Sequence, residues 1–164
     1  MTADVPAGWL RALEASAPAA AMRASGWLFP LVETLHIIGF TVLAGAVILF
    51  DLRLMGFAPT LAPGALARHL LRWAWAAFAL VLPTGVLLFS TEARTLASNP
   101  AFGTKLVLLA LAGANALAFH WGAGRALHGW SAHRPLPRGA WWAGALSVLL
   151  WLGVIVCGRW IAYV

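Results

Sequence analysis

Four long apolar segments run through the chain, at about residues 27–52, 65–90, 100–124 and 139–162, with short polar or turn-rich stretches between them. Each is long enough to form a membrane-spanning helix, which needs about 20 apolar residues. Together they use nearly all of the 164 residues. The pattern predicts an all-α, four-span transmembrane helix bundle, a single domain over residues 1–164 with both termini on the same side of the membrane.

Local signals refine this picture. Asn99 followed by Pro100 predicts the start of the third span, because asparagine is a good N-cap and proline fits the first helical position. Gly39 and Gly45 offer small surfaces for close helix contact in the first span. Residues 7–16 are amphipathic, so they form either a short helix lying in the membrane interface or a frayed terminus.

Composition supports a membrane protein. The chain is 62% hydrophobic and 10% charged, whereas soluble domains average about 25% charged residues. It contains ten tryptophans, a residue typical of membrane interfaces. The first 20 residues lack the basic and apolar regions of a cleavable signal peptide, so the first span is expected to act as its own insertion signal. We therefore expect a multi-pass protein of the bacterial inner membrane.

The charge distribution bears on partners and topology. The net charge is +6, and the basic residues are scattered at the ends of spans. Anionic lipid headgroups are therefore the expected partners and nucleic acid is not. Six basic residues lie near the 53–72 and 122–138 connections and five on the other side. By the positive-inside rule, this count predicts periplasmic termini.

Ionisable residues inside the spans are the candidates for chemistry, because such groups are costly in a membrane and usually face a bundle interior. Glu33 and His36 lie one turn apart in the first span and share a face. Lys105 and His120 are fifteen residues apart in the third span, which leaves an angle of about 60° between them. We therefore predict one site that is formed by side chains of the first span on one side and of the third span on the other.

One hypothesis for this site is a haem. Two histidines on facing helices can ligate haem iron, and bundle cores are a usual place for such sites. His36 and His120 are the candidate pair, although their predicted depths differ by about 10–15 Å. His69 with His120 is the fallback pair, and a single histidine could also hold the iron.

Two other hypotheses need no cofactor. Glu33, His36 and Lys105 could form a compensated charge cluster on a proton or ion path. Alternatively, Lys105 reaches the headgroups, Glu33 interacts with the helix dipole, and His36 only hydrogen-bonds a neighbouring helix. His69, His128 and His133 are expected at an interface or in a loop. Cys157, the single cysteine, excludes an intrachain disulfide and is expected to pack on the fourth span.

Several motifs resemble those of an uncharacterised family of small bacterial four-helix membrane proteins. They are PLVETLH at 30–36, DLRLMG at 51–56, SNPAFGTK at 98–105 and ANALAFH at 114–120. The chain is also distantly similar to bacterial membrane-bound, haem-containing protoporphyrinogen oxidases, whose motif residues resemble His36, Arg53, Lys105 and His120, and to copper-resistance membrane domains. The sequence differs from the oxidases after Arg53, where their aromatic–histidine pair is missing.

The distant similarity implies a b-type haem and a redox role. The leading prediction is thus a haem b protein in membrane electron transfer or an oxidoreductase subunit, ligated by His36 and His120. Glu33 would orient His36, while Lys105 and Arg53 would pair with haem propionates or acidic side chains. The alternatives are a proton-coupled transporter or channel-like protein, or a structural subunit. A redox partner, a larger membrane complex or a second copy of the chain are the partners to expect.

Other chemistries have no support in the sequence. There is no zinc-binding spacing such as H-x-x-x-H or C-x-x-C, and no glycine-rich phosphate loop. A nucleophile elbow and a serine triad are also absent, because Ser147 is the only serine deep in a later span. A hydrolase is therefore not expected.

Overall fold

The structure is a computed structural model that describes residues 7–122, 124–125 and 137–164. These residues are 86% helical and contain no strand. Within them lie seven α-helices, in the order α1 (Ala7–Glu14), α2 (Ala17–Ala24), α3 (Leu28–Leu54), α4 (Pro63–Thr91), α5 (Ala93–Ser98), α6 (Pro100–Trp121) and α7 (Arg138–Trp160). The prediction of an all-α helix bundle is confirmed.

Four of these helices, α3, α4, α6 and α7, are long and apolar enough to cross a membrane. Their bounds differ from the predicted spans by three residues at most. Many large apolar side chains on them point outward, including Leu49, Trp75 and Leu149. Exposed apolar surface of this extent is expected where lipid, rather than water, surrounds a bundle. The fold is that of a multi-pass membrane protein.

The long helices pack in the order α4, α3, α7, α6, and the contacts are most extensive between α3 and α4 and between α6 and α7. The Asn99 side-chain amide, just before α6, donates to the carbonyls of Ile161 (3.0 Å) and Val164 (2.8 Å), at the end of α7. We call this end, which also holds α1, α2 and α5, the terminal end. The opposite end, with the α3–α4 and α6–α7 connections, is the loop end.

The terminal end carries two short helices at the start of the chain. The sequence left residues 7–16 open between a short interfacial helix and a frayed terminus, and the structure has a helix there, α1. The second helix, α2, was not predicted. Ser16 at the N-cap position and a proline in the first turn are the local signals for α2. Glu14 accepts hydrogen bonds from the Arg94 backbone N–H (2.9 Å) and guanidinium (2.7 Å), and Arg23 donates to the Thr91 carbonyl (3.1 Å). These contacts hold the two helices against α4 and α5.

The start of α6 follows the predicted capping arrangement. The Asn99 side-chain oxygen accepts a hydrogen bond from the Phe102 N–H (3.1 Å), and proline occupies the first turn. Since the first N–H groups of a helix have no partner within the helix, this bond satisfies one of them. The same asparagine therefore begins α6 and binds the chain's C-terminal carbonyls.

An apolar core layer fills the middle of the bundle. It contains buried residues from all four long helices, and the tilted ring pair Phe40–Trp151, with centroids 5.9 Å apart, joins α3 to α7. Its buried members are Leu43, Ala44, Ala46, Ala74, Ala77, Ala112, Leu150 and Trp151. We call this set the central apolar layer. It separates polar side chains near the two ends of the bundle.

Glycines set the closest helix approaches. A Cβ atom at Gly39 would lie 2.9 Å from the Val81 side chain of α4, so this glycine allows the predicted close contact. Gly45 has no neighbouring atom within 4 Å of its Cβ position and serves no such contact. At the loop end, Gly144 of α7 brings its backbone against α3. That approach positions the site described next.

Candidate functional site

A buried aspartate lies near the loop end of α3. Asp51 is only 5% exposed, and the Ser147 hydroxyl of α7 lies near its carboxyl group on the wall of the same cavity. The second carboxyl oxygen, Oδ2, is buried without a hydrogen-bond partner among the described residues. Buried polar atoms are nearly always hydrogen-bonded, so an exception needs an explanation. A buried carboxyl oxygen of this kind indicates a hydrogen-bond partner outside the described protein atoms, such as a bound ion or molecule.

Asp51 lines a cavity of about 90 Å³ that all four long helices enclose. Three polar side chains share its wall with Asp51, namely Ser147, Asn115 and His120. The Asn115 amide nitrogen donates to the Ala143 carbonyl (3.0 Å), so its oxygen is left to face other partners. His120 is exposed, and the cavity therefore reaches the surface of the bundle.

Close backbone packing explains why Asp51 and Ser147 meet. A Cβ atom at Gly144 would lie 2.9 Å from the Asp51 carbonyl oxygen. Only a glycine permits α7 to approach α3 this closely. Ser147 lies three residues after Gly144 and therefore projects from the same face of α7. The glycine thus brings the hydroxyl to the carboxyl group.

A second polar site lies toward the terminal end, between α3 and α4. His36 Nδ1 is 3.0 Å from the Thr84 hydroxyl oxygen, and that hydroxyl is 2.7 Å from the Leu80 carbonyl. Since a hydroxyl has one hydrogen and the Leu80 carbonyl can only accept, Thr84 accepts from His36 Nδ1–H. In the neutral ring, Nε2 is then the proton acceptor. Gly85 gives the ring its space, because a Cβ there would lie 3.0 Å from His36 Cε1.

Lys105 of α6 belongs to this terminal-end site. Its ammonium nitrogen lies 5.9 Å from the Phe40 ring centroid and packs beside Gly158 of α7. It is close enough to His36 and to Cys157 for electrostatic interaction with both. The structure therefore brings together His36 and Lys105, two residues that the sequence places on different spans.

The structure does not bring His36 and His120 together. His36 is fifteen residues from Asp51 on α3, which is about 22 Å along the helix axis, and His120 lines the Asp51 cavity at the loop end. The central apolar layer lies between them. Axial ligands to one iron must lie within a few ångströms of each other, so the predicted His36–His120 pair does not fit a single haem.

The remaining predicted residues have other surroundings. Glu33 is exposed and forms no salt bridge within the described part of the chain. Arg53 is buried, and its guanidinium donates to the carbonyls of Leu61 (2.7 Å) and Pro59 (3.3 Å), where it holds the α3–α4 connection. His69 is exposed on α4 and does not line the cavity.

Two further predictions concern histidines of the α6–α7 connection. His128 and His133 lie outside the described residues. Among the residues that are described, no group of three or more His, Cys, Asp or Glu side chains is arranged to hold a metal ion.

Comparison with known proteins places the chain in a family. A family model described as a family of unknown function, DUF6644, matches residues 23–164. The chain belongs to the DUF6644 family. No curated protein and no solved structure matches it. These comparisons give no support to the distant similarity to haem-containing oxidases or copper-resistance domains.

The site of this DUF6644 protein includes residues that the sequence analysis did not select. Asp51 was not among the candidate residues, and Ser147 was considered only as a nucleophile. A signal was present, since Asp51 follows Leu43 and Val47 at intervals of four residues on one helical face. That register places the aspartate on the buried side of α3.

Proposed function

We propose that this DUF6644 protein is a proton-coupled transporter or channel-like protein of the bacterial inner membrane, with periplasmic termini. The observation that carries the proposal is Asp51, a buried carboxyl group beside a cavity, with one oxygen that has no partner in the described part of the chain. Ionisable residues within membrane helices are expensive and commonly mark ion pathways or proton relays. A bundle that served only as an anchor would have no use for this group.

Two polar sites at different depths support the proposal. Asp51 with Ser147 lies at the loop end, and His36 with Thr84 and Lys105 lies about 22 Å away along α3, toward the terminal end. This separation is a large part of the hydrocarbon thickness of a bilayer, about 30 Å. The two sites thus serve opposite faces of the membrane.

The central apolar layer is the barrier between the two sites. All of its buried members are apolar, so none of their side chains can relay a charge. Passage must therefore involve either transient hydration of this layer or a movement of α3 against its neighbours. In both cases one polar site loads from the loop end and the other releases toward the terminal end.

The side chains of both polar sites can take up and release protons. A carboxylate can take up a proton, and Ser147 can either donate to the carboxylate or accept from the carboxylic acid. At the other site, His36 Nε2 is free to accept a proton while Thr84 holds Nδ1.

A flux assay in liposomes tests the proposal. Purified protein is reconstituted with a trapped pH-sensitive dye, and proton entry is driven by a potassium diffusion potential. Asp51→Asn keeps the side-chain size but removes the titratable group, and it should abolish the flux. Glu33→Gln makes the same chemical change at an exposed position on the same helix and is the matched control. It should leave the flux unchanged.

Two results would reject the proposal: no flux above that of empty liposomes, or equal flux from the wild-type protein and Asp51→Asn. An absorbance spectrum of the same preparation addresses the separate haem prediction. A Soret band that survives in His36→Leu and in His120→Leu would require ligands other than the predicted pair.

A further inference from the structure

The Asp51 cavity combines one carboxyl group with a mostly apolar wall. Apart from Asp51, Asn115, His120 and Ser147, its lining consists of leucine, alanine, valine and phenylalanine side chains. Small-molecule sites commonly have this composition, in which a few polar groups orient a ligand within apolar surroundings. The cavity is therefore suited to a ligand that carries one charge and a small apolar part.

Its volume limits the size of that ligand. A cavity of about 150 Å³ binds benzene, so about 90 Å³ is room for a smaller molecule. It is far below the range of about 300–1,000 Å³ that drug-sized ligands occupy. An ion with two to four non-hydrogen atoms fits, and a bulky quaternary ammonium such as tetraethylammonium does not.

The polar atoms favour a cation with N–H donors. Asp51 Oδ2 has no hydrogen-bond partner among the described residues, and the Asn115 amide nitrogen bonds Ala143 while its oxygen has no partner there. His120 Nδ1 is 2.8 Å from the Ala116 carbonyl, so this nitrogen is a donor and Nε2 is an acceptor in the neutral ring. Three side chains of the cavity wall thus each have an acceptor atom for an N–H donor.

Aromatic rings add to this preference. Phe50 and Phe119 both line the cavity and form an edge-on pair with centroids 6.0 Å apart. The faces of aromatic rings attract cations, and such contacts are a common means of recognising ammonium groups. A calcium ion is bound by several oxygen ligands that commonly include more than one carboxylate, whereas Asp51 is the one carboxylate among the lining residues.

We infer that the cavity binds a small primary ammonium ion, of methylammonium to ethylammonium size, with its charge on Asp51. The inference rests on the proposed transport function and names its cargo. The ammonium group neutralises the buried carboxylate, and the alkyl part contacts the apolar wall. Loading of this cation from the loop end would then be the step to which proton movement is coupled.

Equilibrium binding of radiolabelled methylammonium to the full-length protein in nanodiscs tests the inference. We expect saturable binding that excess ethylammonium displaces and that tetraethylammonium and sodium do not. Asp51→Asn should weaken binding about thirtyfold or more, since it removes one partner of a buried charge pair. Glu33→Gln should bind like the wild type.

A second variant keeps the test decisive if Asp51→Asn fails to fold. Ala116→Leu leaves the carboxyl group in place and fills part of the cavity from α6, so it should also abolish binding. The absence of saturable binding to the folded wild-type protein would overturn the inference, and so would undiminished binding in both variants. Proton flux that depends on Asp51 without methylammonium binding would refute the cargo while leaving the transport function intact.

Discussion

Replacing Gly144 with alanine should force α3 and α7 apart beside Asp51. The new methyl carbon would lie 2.9 Å from the Asp51 carbonyl oxygen and 3.3 Å from the Leu54 Cβ. Both atoms are fixed to the helix backbone and cannot move aside by rotation about a side-chain bond. The helices must therefore shift, and the Asp51–Ser147 contact must lengthen with them.

The magnitude follows from two opposing effects. Overpacking costs about 1–3 kcal/mol, whereas alanine stabilises a helix interior by roughly 0.5–1 kcal/mol relative to glycine. Gly45→Ala is the matched control, because no atom lies within 4 Å of its Cβ position. Gly45→Ala should show only the gain in helix stability. The difference in free energy of unfolding between the two variants is then the packing cost alone, about 1–3 kcal/mol.

Thermal unfolding in one detergent measures this difference. For a chain of this length, each kcal/mol corresponds to about 2–4 °C in Tm, so Gly144→Ala should melt roughly 2–12 °C below Gly45→Ala. Unfolding by titration with a denaturing detergent provides an independent free energy. Equal stability of the two variants, or a more stable Gly144→Ala, would show that α3 and α7 do not approach as described.

Three further predictions concern single contacts. Asn99→Ala removes a helix cap and two bonds to C-terminal carbonyls, so it should cost about 1–2 kcal/mol and speed hydrogen exchange near the C-terminus. Hydrogen bonds from the Arg94 backbone and side chain hold the pKa of Glu14 below its usual value. This contact therefore stabilises the folded state at neutral pH, and the stabilisation is lost as the pH falls through the lowered pKa of Glu14. Protection of the α1 amides against hydrogen exchange, corrected for the slower intrinsic exchange at low pH, should fall on acidification, whereas in Glu14→Gln it should already be low at neutral pH. Thr84→Val removes the acceptor of His36 Nδ1–H. The ring nitrogen chemical shifts should then change from the values of a single tautomer to those of a mixture of tautomers, and unchanged shifts would contradict the assigned bond.

Much of the fold could be predicted because it depends on local properties. Length and apolarity alone define the four long helices, and Asn99 with Pro100 marks the start of α6 through the chemistry of its own side chains. The short helices α2 and α5 were missed. They are held by contacts with distant parts of the chain, such as that between Glu14 and Arg94.

The candidate site was harder to predict because burial of a side chain depends on which helix lies opposite. Glu33 and Asp51 are both single carboxylates within the first span, yet Glu33 is exposed and Asp51 is buried against α7. Spacing along α3 identifies shared faces but not their partners. Likewise, the depth difference between His36 and His120 was recognised from spacing, but its full extent required the position of His120 beside Asp51.

The central claim is that the Asp51 carboxyl group carries the transported proton. Carbodiimides react with protonated carboxylic acids, so a hydrophobic carbodiimide can modify this group in the wild-type protein. Peptide mass spectrometry then gives the modified fraction at Asp51 for the same liposomes in which proton flux is measured. We expect the proton flux to fall in proportion to the modified fraction of Asp51. Methylammonium should slow the modification and thereby preserve the flux. Complete modification of Asp51 with undiminished flux would contradict the claim.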